Sequence, residues 1–475
     1  DHFFPQKTTF IVYDGKTFQP DTVTIPLGGT VIFKNNGKMP FWPASNLHPS
    51  HLEYPEFDPL KPIDPGASWQ FTFTRVGNWG FHNHLFPSSV GVITVLKADG
   101  SKPDPIDCTK SENKQQCWES RITAALKEGG VDEAFDVFSN LYTSEPGFAE
   151  SCHGISHLIG SEAYKQFENK ESFHLSPKVT YCGFGFFHGF MEEMLITSGN
   201  IQEARDFCKY VGNTFSGTIS FAQNACYHGI GHGAVDGGDP RYWGDPQAIM
   251  KPGFDLCEKV GGTDFETFLC GTGVVNGLAV AISNGEFGLS ITPDKIMKLC
   301  EDIDKEVFKH ACYDQINTLI YWVSGSDITK SFEILSTMKE MRYFDISMRS
   351  LSAVFAHNNM TTEQYQDMIK HCYQWNGSSR NECIIGFVSG LIEFGPPTKE
   401  YTLGLDFCGT KGFDSDGRYQ CYKGMMEISG TYYDALKTAS ICSMIPKDID
   451  VKTLKYCSTD SGQKAAASEY VPPQL

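Results

Sequence analysis

Sixteen cysteines at a regular spacing limit what this chain of 475 residues can fold into. The motif Cys-X-X-Gly-X-X-X-Gly recurs along the chain, and its first three copies are 44 residues apart. The copies begin at Cys182, Cys226, Cys270 and Cys383, with weaker copies at Cys312 and Cys421. A repeat of this length is typical of stacked supersecondary units, each burying its apolar face against the next.

A second cysteine precedes most copies of the motif by 11 to 18 residues. An even number of regularly spaced cysteines favours disulfides and an oxidising compartment. Sequence alone does not fix the connectivity, but pairing in phase with the repeat is the simplest arrangement. The predicted pairs are Cys108–Cys117, Cys152–Cys182, Cys208–Cys226, Cys257–Cys270, Cys300–Cys312, Cys372–Cys383, Cys408–Cys421 and Cys442–Cys457.

The pattern from about residue 118 onward is helical. Segments such as 131–135 and 201–205 follow Gly or Asn and carry acidic residues near their start, which complements the helix dipole. The glycines of the repeat are expected to let neighbouring helices approach closely. We therefore predict stacked helix pairs, each stapled by one disulfide.

Residues 1–97 have a different, β-rich pattern. Short runs of β-branched and aromatic residues are separated by Gly, Pro and Asn, which favours a small sandwich or barrel. The runs are Phe10–Tyr13, Thr22–Pro26, Thr30–Asn35, Ser68–Thr74 and Gly91–Leu96.

The order of short motifs in this β-rich segment resembles the cupredoxin family over about the first 95 residues. The matching segments are Phe18–Pro20 with Thr22–Pro26, Gly28–Asn36, Pro65–Gly66, Gly77–His82 and Gly91–Val95. The resemblance implies a cupredoxin-like β-sandwich. It also implies that blue-copper ligands would fall at Phe41, Asn83, Phe86 and Ser89, none of which can replace them. Without a thiolate, a blue-copper site is excluded.

Four histidines offer another metal site in the same segment. His48 and His51 lie in a Pro-rich loop, and His82 and His84 lie at the end of a strand. Residues i and i+2 of a strand point to the same side, so His82 and His84 can face one metal. The pair is also similar to the His-X-His ligands of multicopper oxidases. A cluster of imidazoles suits copper or zinc, and we predict copper.

Two acidic residues, Glu53 and Glu56, lie near this loop and are candidates for a ligand or a proton acceptor. The alternative is that the histidines are surface side chains beside a Pro-rich loop.

A second set of histidines lies in the early helical repeats. The pairs His153 with His157, His188 with Glu192, and His228 with His232 are each spaced i and i+4, so each pair shares one helix face. Asp236 follows one turn later. Stacking would bring these helices together, and a metal centre could form there. Copper, zinc or iron would each fit, whereas a Cys-X-X-Cys-His haem motif is absent from the sequence.

The later repeats carry Asn276, Ser389 and Glu427 at the position of His188 and His232. A purely structural histidine would be expected in every repeat, so its restriction to the early ones favours a site. The alternative is that these polar residues cap or buttress helix contacts. Besides Glu53, the catalytic candidates are Glu192 and Asp236.

These patterns predict a multidomain β plus α protein. We expect a cupredoxin-like β-sandwich over residues 1–100, a linker over 101–117, a Cys-rich α-helical, solenoid-like repeat domain over 118–460 and a C-terminal tail over 461–475.

The composition narrows the partners and the location. The net charge of −18 argues against nucleic acid, which requires a basic face. The sequence indicates no apolar stretch of the roughly 18 residues that span a bilayer. A start at Asp1 fits a mature form with its export signal removed. We expect an extracytoplasmic protein, secreted, periplasmic or on the cell surface, with a small-molecule substrate or redox partner, and a homo-oligomer stays an open alternative.

The predicted function is that of a metal-dependent oxidoreductase acting on a small molecule through an all-His copper site. Two alternatives stay open: a copper-binding or storage protein without turnover, and a helical-repeat interaction protein with a structural metal.

If all sixteen cysteines are paired, the denatured but unreduced protein should react with a thiol reagent at fewer than two sites per chain. Each staple is expected to contribute about 2–4 kcal/mol by restricting the unfolded chain. Thiol titration in denaturant measures this directly, and a reduced sample of the same protein gives the reference value. A larger number of free thiols would reopen cysteine metal ligation.

Overall fold

The computed structural model describes residues 8–46, 51, 54–103, 114–145, 147–168, 174–216, 218–219, 221–235 and 239–457, without the side chains of residues 87 and 88. Four residues that the sequence singled out, His48, Glu53, Cys108 and Asp236, lie outside these ranges, as does the predicted tail.

Eight β-strands form the N-terminal part of the described chain. They build two four-stranded sheets with the orders β2-β1-β4-β6 and β3-β8-β7-β5. The strands are β1 Thr9–Tyr13, β2 Phe18–Gln19, β3 Thr22–Pro26, β4 Thr30–Asn35, β5 Pro43–Ser45, β6 Ser68–Thr72, β7 Gly77–Asn83 and β8 Phe86–Leu96.

The two sheets pack face to face around an aromatic core. Alternate residues of each strand point inward, so Ile11, Phe33, Phe81 and Ile93 are fully buried. The rings of Phe33 and Phe81 lie 5.3 Å apart in an edge-to-face contact. The predicted β-sandwich is confirmed.

Seventeen α-helices follow in the described chain. They are α1 Lys114–Ser144, α2 Phe148–Glu168, α3 Gly185–Ser198, α4 Ile201–Thr214, α5 Ala222–Gly233, α6 Pro246–Val260, α7 Asp264–Ser283, α8 Ile296–Glu301, α9 Glu306–Gln315, α10 Asn317–Val323, α11 Ile328–Ser336, α12 Phe344–Ala353, α13 Thr362–Cys372, α14 Gly377–Glu393, α15 Tyr401–Gly409, α16 Ser415–Tyr432 and α17 Ala435–Cys442.

Seven disulfides staple the helices, and all seven match the predicted pairs. They are Cys152–Cys182, Cys208–Cys226, Cys257–Cys270, Cys300–Cys312, Cys372–Cys383, Cys408–Cys421 and Cys442–Cys457. Cys117 is also disulfide-bonded. Its predicted partner, Cys108, lies outside the described residues.

The helical array curves until its last repeats touch its first. The Tyr142 hydroxyl on α1 donates a hydrogen bond of 2.6 Å to the carbonyl of Phe394, which follows α14. The rings of Phe184, before α3, and Tyr432, at the end of α16, lie 4.9 Å apart. Because each repeat adds a small rotation, the stack closes around a cavity of about 1110 Å³.

The glycines of the repeat sit where one inner helix meets the backbone of the next. A Cβ on Gly273 would overlap the carbonyl oxygen of His228, and one on Gly386 would overlap that of Arg349. The predicted close approach of neighbouring helices is therefore confirmed.

The expectation that no apolar stretch is long enough to span a membrane is wrong for one helix. By length and composition alone, Asp264–Ser283 could cross a membrane. In the structure it is α7, packed against α5, α6 and α9, and 67% of its most apolar window is buried. The apolarity is that of a helix enclosed by neighbouring helices.

Replacing Gly386 with alanine should destabilise the helical part by about 1–3 kcal/mol, because the added methyl group must push two helix backbones apart. Gly154 is the matched control, since a Cβ there meets nothing within 4 Å. Gly154→Ala should be neutral or stabilising by up to about 1 kcal/mol through helix propensity. Equilibrium denaturation followed by circular dichroism measures both, and equal effects would contradict the close-contact explanation.

Candidate metal centres

Three histidines of the β-sandwich form one cluster. One ring nitrogen from each of His51, His82 and His84 lies within 4.8 Å of the others. All three side chains are buried, with at most 6% of each residue exposed. The structure thus brings together three of the four predicted ligands, while His48 lies outside the described residues.

The end of β7 positions two of these rings. Asn83 stands between them and accepts a hydrogen bond of 2.8 Å from the backbone nitrogen of Trp42. The backbone nitrogen of His84 donates to the carbonyl of Trp42 at 2.6 Å. A register irregularity at residues 82 and 83 bends the strand here, yet the His82 and His84 rings lie 6.2 Å apart beside the same cluster.

Hydrogen bonds assign the nitrogens that face the cluster. The Nδ1 atom of His51 lies 2.6 Å from a carboxylate oxygen of Asp58, and its Nε2 lies 3.0 Å from Nδ1 of His84. The Nδ1 atom of His82 lies 3.2 Å from the side-chain oxygen of Asn46. A histidine that donates through one ring nitrogen presents the other as a metal ligand, so Asp58 and Asn46 prepare Nε2 of His51 and His82.

The helical part covers the open side of this cluster. A carboxylate oxygen of Glu286, just after α7, lies 3.4 Å from Nε2 of His84. The ring of Phe287 lies 5.6 Å from the His84 ring and 6.4 Å from that of Trp42. Residues more than 200 positions apart in the sequence therefore build one buried site.

Burial controls the charges at this site. It lowers the pKa of His84 well below the usual histidine value, and the nearby His51 lowers it further. Burial also raises the pKa of Glu286 to about 7. Burial alone would raise the pKa of Asp58, but the hydrogen bond and charge of His51 lower it overall. His84 is therefore neutral at pH 7, which is the form that binds metals.

The acidic partners of the cluster differ from the predicted ones. Glu56 forms a surface ion pair of 2.7 Å with Arg75 instead of facing the histidines. Asp58, two residues later in the same loop, takes the role that was considered for Glu56. Glu286 gave no sequence signal, because its contact with His84 arises only when the two parts of the chain pack together.

Five predicted histidines of the helical repeats line one wall of the cavity, and the sixth predicted residue, Glu192, lies against two of them. α2 carries His153 and His157, α3 carries His188 and Glu192, and α5 carries His228 and His232. Ring nitrogens of His153, His157 and His188 lie within 4.8 Å of one another.

The remaining members adjoin this group of three. The rings of His228 and His232 lie 4.9 and 5.0 Å from that of His188. Glu192 is hydrogen-bonded to Nδ1 of His232 and lies 3.6 Å from Nδ1 of His157. One carboxylate thus connects histidines on two different helices.

Two anchors orient the outermost rings of this wall. Nδ1 of His153 donates to the carbonyl of Cys182 at 2.8 Å. Nδ1 of His228 lies 2.8 Å from the hydroxyl of Thr272, which itself donates to the carbonyl of Leu269 and so accepts from the ring. Both histidines therefore present Nε2 as the acceptor nitrogen.

Burial favours neutral rings in this wall. It lowers the pKa of His153 and of His228 to about 3, with smaller effects from neighbouring histidines. Burial would raise the pKa of Glu192, but His232 and His157 hold it well below its usual value. The wall therefore combines neutral imidazoles at His153, His188 and His228 with an ionised carboxylate at Glu192, which suits a divalent metal.

No protein-family model matches the sequence, and no curated protein matches it. Among solved structures, the N-terminal part is similar to a purple cupredoxin from Nitrosopumilus maritimus, with 21% identity over 18% of this chain and 98% of that one, at a TM-score of 0.17. A fern plastocyanin variant is 18% identical, over 18% of this chain and 99% of the plastocyanin, at a TM-score of 0.16. A multicopper oxidase is 17% identical, over 20% of this chain and 44% of the oxidase, also at a TM-score of 0.16. At these TM-scores the likenesses carry no argument about metal, substrate or activity.

If Asp58 prepares His51 for a metal, Asp58→Asn should weaken Cu²⁺ binding at the β-sandwich cluster by about 10- to 100-fold, because the ring loses its charged partner. Glu56→Gln is the matched control in the same loop and should leave the affinity unchanged. Competitive titration against a chromophoric chelator, in a His188→Ala background that breaks the helical cluster, measures both. Equal effects of the two variants would contradict the assignment.

Proposed function

We propose that this protein is an extracytoplasmic copper-dependent oxidoreductase that acts on a small molecule. One observation carries the proposal: three buried imidazoles converge within 4.8 Å, with the Nδ1 atom of one already held by a carboxylate. This is the ligand and outer-partner arrangement of a metal-binding histidine.

The donor set fits copper. Neutral imidazoles suit both common oxidation states of copper, and the sequence contains no cysteine before residue 108 to form a blue site. Copper held by imidazoles supplies one-electron chemistry and a position for a small ligand. His51, His82 and His84 would hold it, while Asp58 and Asn46 keep two of the rings in the ligand tautomer.

The helical cavity supplies the second part of the proposed function. His153, His157 and His188 would hold a second metal, for which copper, zinc or iron are candidates. Glu192 lies against two rings and is placed to accept or release a proton as a substrate reacts in the cavity.

The donor set separates this proposal from copper storage. A store for Cu(I) is expected to use thiolates and thioethers. The described cysteines are all in disulfides, and the three clustered ligands of the sandwich are imidazoles. Seven disulfides also favour an oxidising compartment, which supports an extracytoplasmic location.

After loading with Cu²⁺ and desalting, His82→Ala and His188→Ala should each lose a different metal equivalent, while His371→Gln, a control outside both clusters, should keep both. Elemental analysis counts the metal, and electron paramagnetic resonance distinguishes the two sites. The spectrum should lack the intense thiolate-to-copper absorption. Unchanged metal content in both alanine variants would refute the ligands.

Turnover is tested on the same samples by oxygen consumption with ascorbate as electron donor. The copper-loaded protein should consume oxygen faster than an equal amount of free copper does. The His82→Ala variant should not be faster than free copper. Stoichiometric copper without oxygen consumption would favour the storage alternative.

A further inference from the structure

The cavity has a second chemically distinct wall, where the ring of helices closes. Gly183 and Phe184, before α3, meet Glu393 and Phe394 at the end of α14 and Tyr432 on α16, and all five line the cavity. We call these five residues the closure corner. Here a carboxylate lies among aromatic rings: a Cβ on Gly183 would be 3.0 Å from Oε1 of Glu393 and 3.2 Å from the Phe394 ring.

Glu393 is the unusual member of this corner. Within the described part of the chain, it has no hydrogen bond or ion pair at its carboxylate. Burial raises its pKa to about 7, and the negative charge of Asp314 raises it further. Glu393 is half-buried, and its carboxyl group is costly to ionise beside Asp314 unless a cation joins it.

The positive charges of the cavity are already engaged. Two arginines line it: Arg342 pairs with Glu306 at 3.0 Å, and Arg349 pairs with Glu382. Among the described residues, the hydrogen bonds that Asp314 accepts come from neutral groups, Gln315 at 2.9 Å and Ser350 at 3.3 Å. An anionic ligand would therefore meet uncompensated negative charge, whereas a cation would be stabilised.

Aromatic rings select the kind of cation. The Phe394 ring lies beside the Glu393 carboxylate at Gly183, and the rings of Phe184 and Tyr432, which also line the cavity, lie 4.9 Å apart. Ring faces attract weakly hydrated ammonium ions, and quaternary ammonium groups are the common case. A strongly hydrated metal ion would instead need several oxygen ligands.

We propose that the closure corner binds the alkylated ammonium group of a small organic cation, with Glu393 as the counter-ion. The Phe394 ring lies 6.1 Å from that of His153, so the remainder of such a molecule reaches the histidine wall. This names the substrate class of the proposed oxidoreductase, and it rests on that proposal in treating the cavity as the substrate site.

Binding is tested by calorimetry on metal-free protein at pH 8, with choline as the probe and the uncharged isostere 3,3-dimethyl-1-butanol as the control ligand. Choline should bind at least tenfold more tightly than the isostere. Glu393→Gln, which keeps size and shape, should remove that preference. Asp345→Asn is the matched control: it removes a carboxylate from the same cavity, but one held by Ser379 at 2.7 Å, and the preference should persist.

The Phe184→Leu variant is a second, independent test. It should weaken choline binding about three- to fivefold, because it removes one ring face. Equal binding of choline and its isostere, no choline binding up to millimolar concentration, or an unchanged preference in Glu393→Gln would each overturn the inference. Metal content separates this outcome from the proposed function. If the protein binds choline but no copper, only the proposed oxidoreductase function is refuted. If it binds copper fully but no choline, only the proposed substrate class is refuted.

Discussion

Close backbone contact between neighbouring inner helices is the constraint on which the rest of the helical structure depends. The repeat glycines let one helix rest on the carbonyl oxygens of the next, as Gly273 does on His228. At that spacing, side chains in equivalent repeat positions meet across helices. His188 and His232, which occupy the same position in successive repeats, therefore have rings 5.0 Å apart. The same rotation per repeat closes the array and forms the cavity.

Burial of polar groups is common to the two histidine clusters. The β-sandwich cluster is sealed by Glu286 and Phe287 of the helical part, so neither part alone presents the complete cluster. Burial raises the pKa of Glu286, and the charge of Glu192 adds a small contribution in the same direction. Each cluster sets a buried carboxylate against an imidazole, Glu286 against His84 and Glu192 against His157.

The cavity divides its chemistry between early and late repeats. Most of the imidazoles that line it come from the early repeats and Glu393 comes from a late one, so a molecule inside would meet ligand-type nitrogens on one side and a carboxylate on the other. This asymmetry explains why the repeat signature loses its histidines after α5. Equivalent positions that face a common interior need not repeat the same chemistry.

The sequence by itself determined the β-sandwich and the helical repeat, because strand alternation and helix periodicity are local patterns, and the phase of the repeat indicated the seven disulfide pairs that the structure has. It also indicated the histidines that cluster, since an i, i+4 pair lies on one helix face wherever the helix is placed. Only the tertiary structure decided that Asp58 rather than Glu56 holds His51. Side chains in a loop do not alternate regularly in direction, so their orientation cannot be predicted from sequence spacing. It alone decided the contact of Glu286 with His84 and the meeting of Gly183 with Glu393. Both join residues some 200 positions apart, and only the packing of the finished fold brings such residues together.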